Sequence, residues 1–325
     1  MTRQEILSSN HSKTRKIEML LELGMTRREV ASALNVGYGF VQNTFARKYP
    51  ERIRSRRNLE EVVAELEFIL REFNFNHTFG VEIEAYGIRR EELVNELREA
   101  AINVELESYN HNTRTHWKVT TDSSLTGENT FELVSPKLTG EAGLRELKTV
   151  VTMVRGLEAK VNKSCGLHIH FDASGFDTKT FKNIMLNYAK IETLIDSFMP
   201  DSRRESRNTY CKSIKRITNV EQKLLSVNEL DGIENGIRSL ERNATGSDRY
   251  YKVNLQAYWN HRSTEFHQHA GTVNYTKMQN WILFLARLIE YSKNAVLKDG
   301  DWNSLSKFLP EDMIEFFKAR SQELN

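Results

Sequence analysis

The segment Phe79-Gly-Val-Glu-Ile-Glu84 constrains this chain more than any other. Its apolar and acidic residues alternate with the period of a β-strand, so Glu82 and Glu84 share one face while Val81, Ile83 and Ala85 share the other. The apolar face demands a core on its side. The paired acids repel one another and demand either solvent or a compensating positive charge. A half-exposed strand meets that demand with water, and a cleft meets it with a divalent cation.

The pattern recurs. In Cys165-Gly-Leu-His-Ile-His-Phe-Asp172, His168, His170 and Asp172 fall on one face, with Leu167, Ile169 and Phe171 on the other. In Ser263-Thr-Glu-Phe-His-Gln-His269, alternation predicts a face shared by Glu265, His267 and His269. Glu132 interrupts the apolar run 130–134, and Asp122 ends a strand before the hairpin signal Leu125-Thr-Gly-Glu-Asn129. Each of these alone fits an ordinary surface strand. Four strands with Glu, His or Asp on a single face predict one cleft, and an oxygen-rich set with some histidine suits Mg²⁺ or Mn²⁺. His-x-His with a distant third histidine also suits Zn²⁺, so a zinc hydrolase built on His168, His170 and His269 stays open.

Strands over 79–86, 117–122, 130–135, 165–172, 251–255 and 263–269 alternate with helices near 89–101, 141–157, 177–198, 276–295 and 311–320. More helix is expected between 220 and 242. Hairpin-linked strands with intervening helices predict an α+β fold with a mainly antiparallel sheet and flanking helices. Arg203, Arg204 and Arg207 follow Pro200 in a loop that either clamps phosphate or is simply solvated. Neither a P-loop nor a Gly-x-Gly-x-x-Gly fingerprint is present, so a nucleotide would be held by metal and cations.

Charge is uneven along the chain. Residues 1–58 hold 12 Lys and Arg against 5 Asp and Glu, although the whole chain carries only +2. A small all-α domain at 1–57 is expected, with helices near 13–23, 26–34 and 38–48 laid out as a helix-turn-helix. Thr26 and Glu29 form a capping box, and Phe40, Val41 and Phe45 are the expected buried stripe of the third helix. Tyr38, Gln42, Asn43, Arg47 and Lys48 remain to face double-stranded DNA, with Arg52, Arg54, Arg56 and Arg57 extending the basic run. A three-helix structural or protein-binding domain fits the same pattern. An amphipathic helix over 59–73 then bridges to a catalytic domain at 78–325, within a connecting segment at 58–77. It reads as a packed connector or as the dimer helix of a homo-oligomer.

Only two cysteines occur, Cys165 and Cys211, which fits a reducing compartment. The start Met1-Thr-Arg-Gln-Glu5 lacks an apolar signal core, and the run 281–289 is broken by Arg287 and too short to span a bilayer. A cytoplasmic protein with no membrane partner is expected.

Taken in order, Phe79 to Glu84, Asp122-Ser-Ser-Leu125, Glu132-Leu-Val-Ser-Pro136, Cys165 to His170, Arg207 to Cys211, Asn254 and Glu265 to Thr272 resemble the amidoligase family. These are carboxylate–amine ligases with a fold like glutamine synthetase and glutamate–cysteine ligase, and the likeness spans roughly 78–295. The resemblance implies an ATP- and Mg²⁺-dependent enzyme that makes an amide through an acyl phosphate, from carboxylate and amine substrates that are amino-acid or peptide-like. It implies metal binding by Glu82, Glu84, Glu132 and Glu265, with His168 or His170 on metal or nucleotide phosphate. It also implies that Asn254 and Arg207 orient substrate or phosphate. The family's Glu-Phe-Arg is Glu265-Phe266-His267 here. Arg262 is the expected substitute, and otherwise activity is weak, retuned or lost. The competing reading is a DNA-binding regulator whose degenerate ligase domain senses a ligand.

Overall fold

The computed structural model describes residues 2–25, 27–48 and 73–324. They divide into two units, Met1–Glu72 and Phe73–Asn325.

In the first unit the described helices are α1 (Arg3–Ser8), α2 (Lys13–Glu22), α3 (Arg27–Leu34) and α4 (Tyr38–Lys48). Thr2 opens α1 with a capping box: its hydroxyl accepts from Glu5 N, and Glu5 Oε2 accepts from Thr2 N at 2.9 Å. Ser12 caps α2, and Gly24 at φ +82° ends it. Ile6, Ile17, Leu20, Val30 and Val41 form the core. The six-residue α1 is too short to display a helical period in sequence, yet it supplies Ile6. Phe40 leaves the expected stripe and is 43% exposed, while Thr44 is buried beside Val41. Val41 and Thr44, three apart, share one face of the helix. Thr26, the helix expected over 59–73 (save Phe73) and the arginines between 52 and 57 lie outside the described residues.

The second unit is built on β1 (Thr78–Ala85), β2 (Val104–Leu106), β3 (Trp117–Thr120), β4 (Phe131–Val134), β5 (Leu138–Thr139), β6 (Gly166–Asp172), β7 (Val253–Asn254) and β8 (Ser263–Ala270). Among the described residues they make one eight-stranded sheet in the order β2-β3-β4-β1-β6-β8-β7, with β5 on β1. All pairs are antiparallel except β2 with β3. The mainly antiparallel sheet is as expected; β2 and β5, with three and two residues, are too short to read from a pattern. The helices are α5 (Arg90–Glu99), α6 (Gly140–Gly156), α7 (Thr178–Ser197), α8 (Val220–Leu225), α9 (Ile233–Leu240), α10 (Ala257–His261), α11 (Tyr275–Ser292), α12 (Trp302–Leu305) and α13 (Glu311–Leu324). None of the described helices is long and apolar enough to cross a membrane.

One face of the sheet is the core. Val81, Ile83, Leu167, Ile169 and Phe266 are at most 1% exposed, and each such side chain contributes on the order of 2 kcal/mol. Phe266 meets Tyr188 of α7, with ring centroids 5.8 Å apart. Asp177 caps α7 by accepting from Thr180 N at 2.7 Å, and Asn274 caps α11 by accepting from Lys277 N at 3.2 Å.

A bulge reorganises β8. Leu167 pairs with His269 and Ile169 with Phe266, so two steps along β6 match three along β8. One extra residue inverts the alternation beyond it. His267 keeps the face of Glu265, but His269 joins Leu167 on the core side. There its ring lies 5.7 Å from Trp281 of α11, and Nδ1–H donates to Ala270 O at 2.7 Å. The shared face of Glu265, His267 and His269 therefore ends at His267.

Candidate active site

The opposite face of the sheet carries the polar residues, and strand register aligns them. Glu84 pairs with Glu132, and Glu132 with Thr120. Glu82 pairs with His168. His170 pairs with Glu265, and Glu265 with Asn254. Directly opposed residues point to the same side, so the alternation legible in each strand becomes a continuous wall across the sheet. This wall lines a cavity of about 570 Å³.

Distances within the wall are short. His168 Nδ1 lies 3.0 Å from Glu82 Oε2, and its Nε2 lies 3.7 Å from Glu84 Oε1. Asn254 Nδ2–H donates to Glu265 Oε2 at 2.6 Å. His267 is held by Tyr251 O, 3.0 Å from Nδ1, and presents Nε2 to Glu265 Oε1 at 2.7 Å. Gly166 N–H donates to Glu84 Oε2. Behind the wall, His267 N–H donates to Lys252 O at 3.0 Å. The Lys252 ammonium is fully buried between Glu192 (2.9 Å) and Asp196 (2.6 Å) of α7.

So many acids side by side favour positive charge nearby, and the titration of the neighbouring imidazoles shifts to match. Burial alone would depress His168, but the charges of Glu84, Glu82 and Glu265 lift it to about 9. His170 is likewise raised well above its usual value, burial being outweighed by Glu265 and Glu82. Burial would raise Glu82, but the hydrogen bond with His168 and the nearby charge of His170 hold it below the usual carboxylate range. Glu265 is held low against burial by His267 and His170. Glu132 goes the other way: burial, then Glu82 and Glu84, push it well above 4.5.

The same cluster marks where a cation fits. His170 Nε2 is buried and makes no hydrogen bond, although Glu82 Oε1 and Glu265 Oε1 lie 3.4 and 3.3 Å away. A nitrogen facing two carboxylate oxygens in that way has the donor set of a metal site. The ligand atoms of Glu82, His170 and Glu265 lie within 4.8 Å of one another, as do those of Glu84, Asp122 and Glu132. A third set, His168, Glu265 and His267, shares Glu265 with the first.

The cavity thus collects Glu82, Glu84, Glu132, Glu265, His168, His170, Asn254 and His267. Two expected arginines are elsewhere. The Arg207 side chain is 52% exposed and ion-pairs with Asp201 at 3.2 Å. Arg262, at φ +53°, is 51% exposed; it pairs with Glu234 at 3.2 Å and stacks on Tyr258. Neither lines the cavity. His269 is outside it too, for the bulge reason given above. Of the residues expected to face DNA, Lys48 reaches Glu22 on α2 at 2.5 Å; the side chains of Tyr38, Gln42, Asn43 and Arg47 lie outside those described.

Sequence reasoning missed Lys118, which lines the cavity while its Nζ donates to Asn110 O at 2.7 Å. The available signal was period two: Lys118 and Thr120 share a face of β3, and Thr120 opposes Glu132.

No curated protein matches the chain. A family model does, over residues 76–289, and its description is "Putative amidoligase enzyme". The match takes in every residue of the acidic wall from Glu82 to His267, and the chain belongs to the amidoligase family.

Proposed function

We propose that the unit Phe73–Asn325 is an ATP- and Mg²⁺-dependent carboxylate–amine ligase acting through an acyl phosphate. The observation that carries this reading is the single wall of Glu84, Glu132, Glu82, His168, His170 and Glu265 across adjacent strands. In the proposed reaction a carboxylate oxygen of the first substrate bonds to the γ-phosphorus of ATP, and ADP leaves with the electrons of the broken P–O bond. The amine nitrogen of the second substrate then bonds to the acyl carbon, phosphate departs, and the nitrogen gives up a proton. Glu82, Glu84, Glu132 and Glu265 would hold Mg²⁺, with His168 or His170 as a further contact. Bound Mg²⁺ would draw charge from the transferring phosphoryl group.

The chain's own residues prepare this chemistry by preorganisation. Asn254 fixes one oxygen of Glu265 while the other faces His267 and His170, and Gly166 N–H fixes one of Glu84 while the other faces His168. The test is ADP release that requires both a carboxylate and an amine, across a panel of amino acids and peptides. Glu82→Gln and Glu84→Gln should each abolish it; undiminished turnover in both variants sinks the assignment.

We further infer that the first unit brings the ligase to DNA as a helix-turn-helix module. The excess of basic residues in 1–58 and the order of α2, α3 and α4 support this. Gel shifts of the full chain with random duplex should weaken steeply as salt rises, because phosphate contacts release counterions. No shift at low salt removes the DNA reading.

A further inference from the structure

Arg203 ends the short turn Asp201–Arg203 that follows α7, and it is 2% exposed. A guanidinium carries five donors and no acceptor, so burial away from a carboxylate leaves it poorly satisfied. Its Nη1 reaches His267 O and its Nη2 reaches Ser164 O, both only at 3.5 Å. Its Nε is buried without a hydrogen-bond partner. Among the described residues no carboxylate forms an ion pair with it. The thiol of Cys211 lies beside it, but burial raises that thiol above its usual value, so it stays neutral and brings no counter-charge.

The open side of Arg203 is the cavity, which it lines together with Glu84 and His168. A Cβ at Gly166 would come within 2.9 Å of Arg203 Nη2 and 2.8 Å of His168 Nε2. The glycine therefore leaves a gap on which the guanidinium and an imidazole converge. Glu84, an acid of the wall, already accepts from Gly166 N–H. The guanidinium also rests against the backbone of His267, the residue standing where the family's pattern has arginine.

We propose that Arg203 is the cation that binds a phosphoryl group in this cleft, reaching from a turn the place beside His267. A planar guanidinium fits two oxygens of a tetrahedral phosphate, and the acids of the wall cannot bind that anion themselves. Anion binding stands on the geometry of Arg203 alone; that the phosphoryl donor is ATP rests on the ligase reading above.

The test uses the full chain in Mg²⁺ buffer with inorganic phosphate as probe, and the variants Arg203→Met and Arg203→Lys. Phosphate should raise the Tm of the parent protein by mass action. In Arg203→Met the Tm without phosphate should hold or rise, because an unpaired buried charge is replaced by an apolar chain of similar length. Its phosphate affinity should fall by about tenfold to a hundredfold, and Arg203→Lys should restore part of it. A lower Tm in Arg203→Met with its phosphate response intact makes Arg203 merely structural and overturns the proposal. So does stabilisation of the parent by acetate equal to that by phosphate, or no response to phosphate at all. A phosphate response that is present in the parent and lost in Arg203→Met, in a parent protein that releases no ADP, supports this proposal and refutes the ligase reading. Unchanged kcat and KM for ATP in Arg203→Met refutes this proposal and leaves the ligase reading standing.

Discussion

His269 offers a direct measurement of the bulge in β8. On the core side its imidazole is held at about 3, because burial opposes the charge and Arg320 and Lys277 add repulsion that the hydrogen bond to Ala270 O does not overcome. In the unfolded chain the same group titrates near 6.5. A depressed folded-state value means stability that is whole above 6.5 and is lost as pH falls from there toward 3. At about pH 5 the unfolded chain gains roughly 2 kcal/mol from binding this proton, against close to zero at about pH 7.5. His269→Leu removes that proton uptake. The variant also loses the bond to Ala270 O, a cost of about 1 kcal/mol that is the same at both pH values. Urea unfolding of both proteins at both pH values isolates the effect, since all other titrating groups cancel in the double difference. Stability of the parent should drop by about 2 kcal/mol more than that of the variant between the two conditions. Equal pH dependence would mean that His269 titrates as an accessible histidine, and the inverted face would be wrong.

Two further outcomes follow from packing. Gly166→Ala should push His168 and Arg203 apart at the contacts of 2.8 and 2.9 Å and lower ADP release by about a hundredfold with little change in Tm, measured by product assay beside a thermal melt; full activity would show that neither group needs its present place. Lys252→Met should cost about 3–5 kcal/mol in urea unfolding by leaving Glu192 and Asp196 buried without their cation, and a cost under about 1 kcal/mol would mean that water or a proton replaces it.

The residues that were legible in the sequence are those whose neighbours carry the same period. Glu82, Glu84, His168 and His170 declare themselves because Val81, Ile83, Leu167 and Ile169 alternate with them, and the register then brings them together. His269 was illegible because a bulge is a mismatch in count between two strands, and one strand's pattern holds no trace of its partner's. Arg203 looked like one of three loop arginines. Burial separates it from Arg207, and burial of a loop residue depends on tertiary packing, not local period. Phe40 failed for a related reason: which apolar residue of a helix is buried is decided by the neighbouring helices, and they bury Val41 while leaving Phe40 43% exposed.

The position of β1 has a consequence for how the cleft can move. Its backbone is bonded to β4 on one side and β6 on the other, so Glu82 is flanked on both sides and Glu84 is paired with Glu132 on β4. Amides there exchange with solvent only when the sheet itself opens, at a free energy close to that of global unfolding. Arg203 is carried by a single turn of three residues. The acids are thus held by the sheet, whereas Arg203 depends on the packing of one short turn. Ligand-dependent protection from exchange should accordingly concentrate in that turn, and the strand beneath should protect equally with or without ligand.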